Sequence, residues 1–428
     1  TVGTQDMPPS WTNNTDPTVD FDIKGRVYQV TLPFNAFWAN LHPNSHIEIS
    51  YSDDMGRHWV KGNGGQALEH TPNWSSLSLG FVEDKQWVVV NKIPGHPYQD
   101  HVYAVWSIYN GSTTELRVAV SRDRGLTFAK ATTFTMPSET GPSNQFVFPA
   151  IDAAGDLYVS FASLGHKLHG DTYTLTAARS TDDGVTFEPF VPAATAGVIP
   201  GCCLPNTTFR DGVAQSLAAS PDHPGHVYMA YESWDHANGQ MDVYFTQSTD
   251  HGATWSAPVR VNDNAESATL GFTDQFQPSV AAGPQGAVAV VFYDRRSACP
   301  DDASIRAQDV SRTNFCIDVT LQAYKDSGSG AAPILNNVRI TKFTWDPMQP
   351  DQHVDGIGQM ACAGHSDPCT SRAFIGDYFG LAISASNIYA LFTSTHYPSS
   401  VTADEGGPVY YQQQVLATLA RSQFGARY

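Results

Sequence analysis

The chain has 428 residues, enough for about three domains of ~150 residues, although all-β barrels and propellers of this size also form one unit. Charged residues are only 15% against a usual ~25%, and 34 glycines with 27 prolines starve helices while supplying turns, so an all-β fold is expected. A net charge of −18 repels phosphate backbones and anionic bilayers, and no run approaches ~20 apolar residues, which argues against nucleic-acid and membrane partners.

The chain opens on polar Thr1-Val2-Gly3-Thr4-Gln5, read as the start of an already processed, soluble protein. From there a pattern S-x-D-x-G-x-[T/H]-[W/F] recurs at Ser52–Trp59, Ser121–Phe128, Ser180–Phe187 and Ser248–Trp255, at separations of 69, 59 and 68 residues. Each copy follows an alternating apolar run and carries turn chemistry. Its Asp (Asp54, Asp123, Asp182, Asp250) can accept local backbone N–H bonds, its Gly permits positive φ, and its aromatic can pack between sheets. A degenerate fifth copy is Lys325-Asp326-Ser327-Gly328.

Between these turns a second unit repeats: one strand, a tight turn, then an aromatic-rich strand. It is read at 17–30, 87–106, 146–161, 213–231, 278–293 and 375–392, six units of roughly 71 residues each. Four antiparallel strands with long connections need about that much chain, and radial repetition of such sheets protects their edges. The expectation is one six-bladed β-propeller domain over 1–428, with the segment from Thr1 to about Pro8 supplying the strand that closes the last blade.

The four turns are what the sialidase superfamily calls Asp boxes, or BNR repeats, and the chain resembles that superfamily over nearly its full length. The resemblance implies a sialidase-like propeller in which the box residues are scaffold. One departure stands out: the Arg-Ile-Pro signature expected on the first strand is replaced by Thr15-Asp16-Pro17-Thr18, which argues against sialic acid as the substrate.

In a blade of this kind, first-strand starts and the loops after second strands emerge on one face, opposite the boxes, and a site belongs among them. Tyr378, at the last first-strand start, is where the resemblance implies a tyrosine nucleophile, with Glu232 as the base that activates it. Asp377, Asp274, Asp16 and Asp84 occupy comparable starts. Clustered carboxyls raise one another's pKa and suit a general acid; they could instead cap backbone N–H groups or hold a calcium ion. Substrate contacts are assigned to Arg210, Arg295, Arg296, Arg372 and His236, with Trp234 and Tyr397 as faces for sugar stacking; neighbouring Asp211 and Asp294 offer the arginines structural partners instead.

Six cysteines and four N-glycosylation acceptor patterns at Asn13, Asn73, Asn110 and Asn206 suggest a secreted glycoprotein. Local closure pairs Cys299 with Cys316 and Cys362 with Cys369; Cys202 and Cys203 form a vicinal bridge, pair elsewhere or stay as thiols. Taken together, the sequence points to a secreted, monomeric, glycan-active enzyme without a cofactor. An exo-acting glycoside hydrolase leads, followed by a polysaccharide lyase on a uronate-containing glycan and a lectin-like module without catalysis.

Overall fold

A computed structural model describes residues 13–35, 44–70, 82–110, 113–135, 140–163, 171–201, 203–212, 215–266, 271–349, 353–354, 357–358, 361–362, 373–402, 406–410, 412–425 and 428. The protein is a six-bladed β-propeller: six successive antiparallel sheets whose main strands pair in chain order. Among the described residues no helix is long and apolar enough to cross a membrane.

The blades differ little in plan. The first pairs Asn13–Phe21, Val27–Asn35, Asn44–Ser52 and Val60–Lys61; the second Val82–Val90, Val102–Asn110, Thr113–Ser121 and Thr132–Thr133. The third runs Asn144–Ile151, Leu157–Ser163, Thr172–Ser180 and Val191–Gly197, and the fourth Gln215–Ala219, Val227–Asp235, Gln240–Ser248 and Val259–Arg260. In the fifth, Gln275–Gly283, Ala287–Asp294, Asp318–Asp326 and Ala331–Pro333 follow one another. The sixth shows three strands, Gly380–Ile383, Asn387–Ser394 and Gln413–Ala420. The N-terminal segment expected to complete it lies outside the described residues.

By its internal contacts the chain divides into two compact units. One holds residues 1–195, 217–227 and 248–255; the other holds 196–216, 228–247 and 256–428.

In the first unit, all four expected turns join the third strand of a blade to its fourth. In each, the Ser hydroxyl donates to the Asp and accepts from the Gly N–H: Ser121 Oγ reaches Asp123 at 2.8 Å and accepts from Gly125 at 2.8 Å, and Ser52, Ser180 and Ser248 repeat this within 0.2 Å. The Asp carboxylate accepts the N–H four residues on, so local hydrogen bonds lower the pKa of Asp54 and Asp250, and in Asp123 and Asp182 they outweigh the opposing effect of burial.

The turn glycine has a second role. Gly125, Gly184 and Gly252 have φ of 80° or close to it, and each lies against the tyrosine that begins the second strand of the preceding blade: Tyr28, Tyr103 and Tyr158. A Cβ on Gly125 would stand 2.9 Å from Tyr28 Cε1. Those phenols are buried and anchored by carboxylates, Tyr28 on Asp22 at 3.0 Å and Tyr103 on Asp183 at 2.7 Å. The second unit repeats the device with the degenerate turn, where Asp326 takes the Tyr228 hydroxyl at 2.5 Å together with the N–H groups of Gly328 and Gly330.

Apolar side chains fill the space between sheets. In the first unit Val30, Ile49, Val88 and Trp106 form one buried cluster, and Val105, Val118, Val159 and Phe161 another. The second unit's larger cluster includes Phe209, Phe276, Val291, Tyr293, Trp345 and Phe392. Cys299 and Cys316 are bonded as expected, and the loop they close makes a small core of its own with Ile305, Val310 and Phe315. Cys203 is also in a disulfide. Cys202, Cys369 and the side chain of Cys362 lie outside the described residues.

Candidate functional site

Four blades begin with the same irregularity. The register between first and second strands shifts by a β-bulge at Thr15/Thr18, Asp84/Trp87, Gln145/Phe148 and Phe276/Ser279. Inside each bulge a residue other than glycine takes left-handed φ: Asp16 at 52°, Lys85 at 57°, Phe146 at 57° and Gln277 at 45°. Bulges re-aim side chains at the ends of strands, and proline is tolerated there because no ladder N–H is needed, which fits Pro17 and Pro278.

In the second unit these entries sit on an aromatic stack. Phe209 stacks on Phe276 with centroids 5.6 Å apart, Phe276 meets Tyr293 at 5.2 Å, and Tyr293 meets Phe379 at 4.3 Å. The Tyr293 hydroxyl accepts the Thr393 N–H at 3.0 Å. Each ring neighbours a polar group in the chain: Arg210 and Asp211 follow Phe209, Gln277 follows Phe276, and Asp377 and Tyr378 precede Phe379. Packing of the rings therefore fixes where the polar groups emerge.

What emerges is a group of carboxyls short of donors. Both Asp211 oxygens are shut from solvent and accept no hydrogen bond of normal geometry. Burial pushes its pKa up to about 7, with Asp274 and Asp377 adding to the rise, while the Gly212 N–H and the Gln277 amide oppose it. Glu232 is buried too, and its Oε2 accepts the Gln277 N–H at 2.6 Å. Desolvation first, then the charges of Asp211 and Asp377, raise the Glu232 pKa well above the ordinary carboxylate range. Asp377 is paired with Arg210 at 2.8 Å, and the Arg210 side chain is 46% exposed. Tyr378 is half-buried beside it in sequence.

Other expected members of the site are placed differently. Arg295 has no exposed side-chain surface; its guanidinium is 2.9 Å from Asp274 Oδ2 and donates to the carbonyls of Pro205 and Asn314. Burial lowers the Arg295 pKa to about 10 and raises that of Asp274, so this pair presents no face to a substrate and braces the strand entry from behind. Arg296 is held by Asp294 and Asp263, both at 2.6 Å, and by Asn337 at 2.8 Å. Trp234, expected to stack on a sugar, is buried and belongs to the second unit's apolar cluster. His236 is exposed, and Arg372 lies outside the described residues.

Sequence reasoning placed Asp211 among the first-strand entries on the site face and weighed it as a partner for arginine, without giving it a catalytic role. The signal for its other role was present: like Asp16 and Asp377, it stands at a first-strand start, preceding a glycine that adopts φ of 150°. The burial that deprives it of donors could not be read from residue order.

No family model and no curated protein matches the chain. Similar solved structures include the GH93 α-L-arabinofuranosidase of Fusarium graminearum with arabinobiose, at 12% identity over 98% of this chain and 96% of that one, TM-score 0.46. Another is the Penicillium chrysogenum α-L-arabinanase complexed with arabinobiose, at 13% identity, 97% and 96% coverage and TM-score 0.47. A Hadza microbial sialidase is similar at 13% identity over 94% of this chain and 66% of that one, TM-score 0.46. At 12–13% identity and TM-scores of 0.46–0.47, these likenesses say nothing of what this chain binds.

Proposed function

We propose that the protein is a glycan-active hydrolase whose proton donor is the buried Asp211–Glu232 pair and whose nucleophile is Tyr378. The observation that carries the reading is the donor-poor Asp211 carboxyl, which burial and neighbouring acids keep partly protonated at neutral pH beside the ion-paired Asp377. A carboxylic acid of that kind suits protonation of a glycosidic oxygen, because its proton is available and leaves behind a base of matched strength.

In this reading the proton of Asp211 passes to the leaving oxygen as the anomeric C–O bond breaks. The Tyr378 oxygen forms the new bond to the anomeric carbon, and its own proton passes to the carboxylate of Asp377, which is ion-paired with Arg210. Water then displaces the tyrosine, its hydroxyl bonding to the anomeric carbon and its proton returning to Asp211, while the carboxylate that took the phenol's proton gives it back to the departing Tyr378 oxygen. Arg210, half-exposed at the edge, is the group available to orient a substrate oxygen. The bonded Cys299 and Cys316 support a secreted location, since such bridges persist in oxidising compartments.

Incubation of the full chain with a glycan library, followed by mass spectrometry, tests this. Hydrolysis adds one water per bond cleaved, and the Asp211→Asn variant abolishes the product. Products formed without water would make the protein a lyase, and an unchanged library with retained glycans would make it a binding module; either result overturns the proposal.

A further inference from the structure

The loop after the second strand of the sixth blade is fastened at several points. The Thr393 N–H donates to the Tyr293 hydroxyl at 3.0 Å, the Thr395 hydroxyl to the Asp346 carbonyl at 2.9 Å, and the His396 N–H to Ser394 Oγ at 3.2 Å, while Gln413 Nε2 holds the Tyr397 carbonyl at 2.6 Å. In that sheet Gly380 faces Leu391, and a Cβ on Gly376 would stand 4.0 Å from Thr393 Oγ1. His396 therefore leaves the sheet at the end where Asp377 and Tyr378 enter it.

Against this loop lies the one that the Cys299–Cys316 bridge closes in the fifth blade. Ser304, buried there, donates its hydroxyl to Asp302 Oδ1 at 2.6 Å, and Ser304 Oγ is 2.9 Å from His396 Nδ1. A hydroxyl carries one proton. With that proton given to a carboxylate, the stronger acceptor, the Ser304 oxygen can only accept from Nδ1, which makes neutral His396 the Nδ1–H tautomer and leaves a lone pair on Nε2. Among the described residues no hydrogen bond engages Nε2.

The ring is held from its sides as well. It lies on Phe343 with centroids 4.1 Å apart and planes 7° from parallel, and Tyr397 meets it at 4.9 Å and 85°. Tyr397 is 5.9 Å from Phe343, far short of the other two separations laid end to end, so it stands beside the stack and not on top of it. Its side chain is 40% exposed. An oriented acceptor beside an exposed phenol ring is the contact set of a sugar, whose hydroxyls donate at the ring's edge while its C–H face packs on an aromatic. A metal ion fits less well: the three-residue group of metal-ligating types among the described residues is Asp152, Asp156 and His251, in the first unit.

We propose that His396 and Tyr397 form a sugar-binding subsite at the end of the sixth blade that carries Asp377 and Tyr378, with Nε2 accepting a sugar hydroxyl and Asp302–Ser304 fixing the imidazole tautomer. Binding stands on this geometry alone; only its use as an outer subsite for a cleaved glycan rests on the hydrolase reading.

Nitrogen NMR of the histidine side chains in the full chain at alkaline pH, assigned with His396→Asn, reads the tautomer directly. The Nδ1–H form is expected, changing to Nε2–H in Ser304→Ala, which loses the acceptor. D-galactose, D-xylose, L-arabinose and D-glucuronate are then added singly, and at least one should move the His396 Nε2 signal. In His396→Asn the amide nitrogen takes the place of Nδ1 and keeps the tie to Ser304, so that variant should stay folded and bind the same sugar about 5- to 10-fold more weakly, the worth of one neutral hydrogen bond. Tyr397→Ala, a change at an exposed ring, should weaken it by a similar factor. An Nε2–H tautomer in the parent, or an Nε2 signal that none of the four sugars moves, overturns the subsite. A sugar that moves Nε2 in a protein cleaving no glycan sustains the subsite and sinks the hydrolase reading; hydrolysis with Nε2 unmoved does the reverse.

Discussion

The two units use the same strand entry for different ends. In the first, acidic side chains are matched: Asp16 has Lys85 at 3.7 Å, Asp22 takes Tyr28 and Arg124, Asp183 takes Tyr103 and Arg122, and the turn aspartates take backbone N–H groups. In the second, Asp211 and Glu232 are buried with one normal hydrogen bond between them, from Gln277. A matched carboxylate stabilises a fold and stays ionised; an unmatched buried one costs stability and holds a proton. The difference is what supports reading the first unit's entries as scaffold and proposing chemistry at the second's.

The largest expected effect breaks the second unit. Tyr378→Phe removes one oxygen from a half-buried ring, so the fold should persist while turnover falls by about 10³-fold or more, as when other enzymes lose their nucleophile. Near-normal turnover on the cleaved glycan would show that Tyr378 packs and that water attacks directly. Next is the donor. Asp211→Asn should lower turnover by about 10²–10⁴-fold, the usual worth of a positioned general acid. Asp16→Asn, the matched residue at the equivalent entry of the first unit, should leave turnover unchanged. Equal losses at Asp16 and Asp211 would erase the distinction between the units.

A third effect is smaller and runs the opposite way. Asp211 binds its proton more tightly folded than unfolded, because burial raises its pKa from 3.8 to about 7. Between those values the folded state carries the extra proton, so this group's contribution to stability falls as pH rises through that window. Asp211→Asn removes the buried charge, and its thermal midpoint should exceed that of the parent at pH 8 by more than it does at pH 5. A gain independent of pH would mean that Asp211 does not titrate in that range.

Much of the scaffold was legible in the residues because it repeats. The turn motif gave its own location between third and fourth strands, and Cys299–Cys316 followed from closeness in sequence. The candidate site was legible only in part. Glu232, Asp377 and Tyr378 were found from their places at strand ends, and those places are periodic. Trp234 and Arg295 were assigned to substrate by residue type and Asp274 to catalysis by its strand-start position, yet each is turned inward, and inwardness depends on packing across sheets that no local pattern records. Asp211 was underrated for the same reason: a carboxyl becomes an acid at neutral pH through what is missing around it.

The smallest effect sharpens the account of the first unit. Gly125 has φ of 81° and a Cβ there would meet Tyr28 at 2.9 Å, whereas Gly95 has φ of 77° with nothing within 4 Å of the same position. Alanine at either site pays the backbone cost of left-handed φ, about 1 kcal/mol. Only Gly125→Ala must also displace a phenol buried between blades and bonded to Asp22. Its cost should therefore exceed that of Gly95→Ala by roughly 1–2 kcal/mol, the range for overpacking a filled interior. For a unit of this size that is a further fall of about 2–8 °C in thermal midpoint. Activity on the cleaved glycan should be unchanged at temperatures where both variants are folded. Equal midpoints for the two alanine variants would show that the turn glycine answers only to its own backbone, and that contact with the preceding blade is incidental.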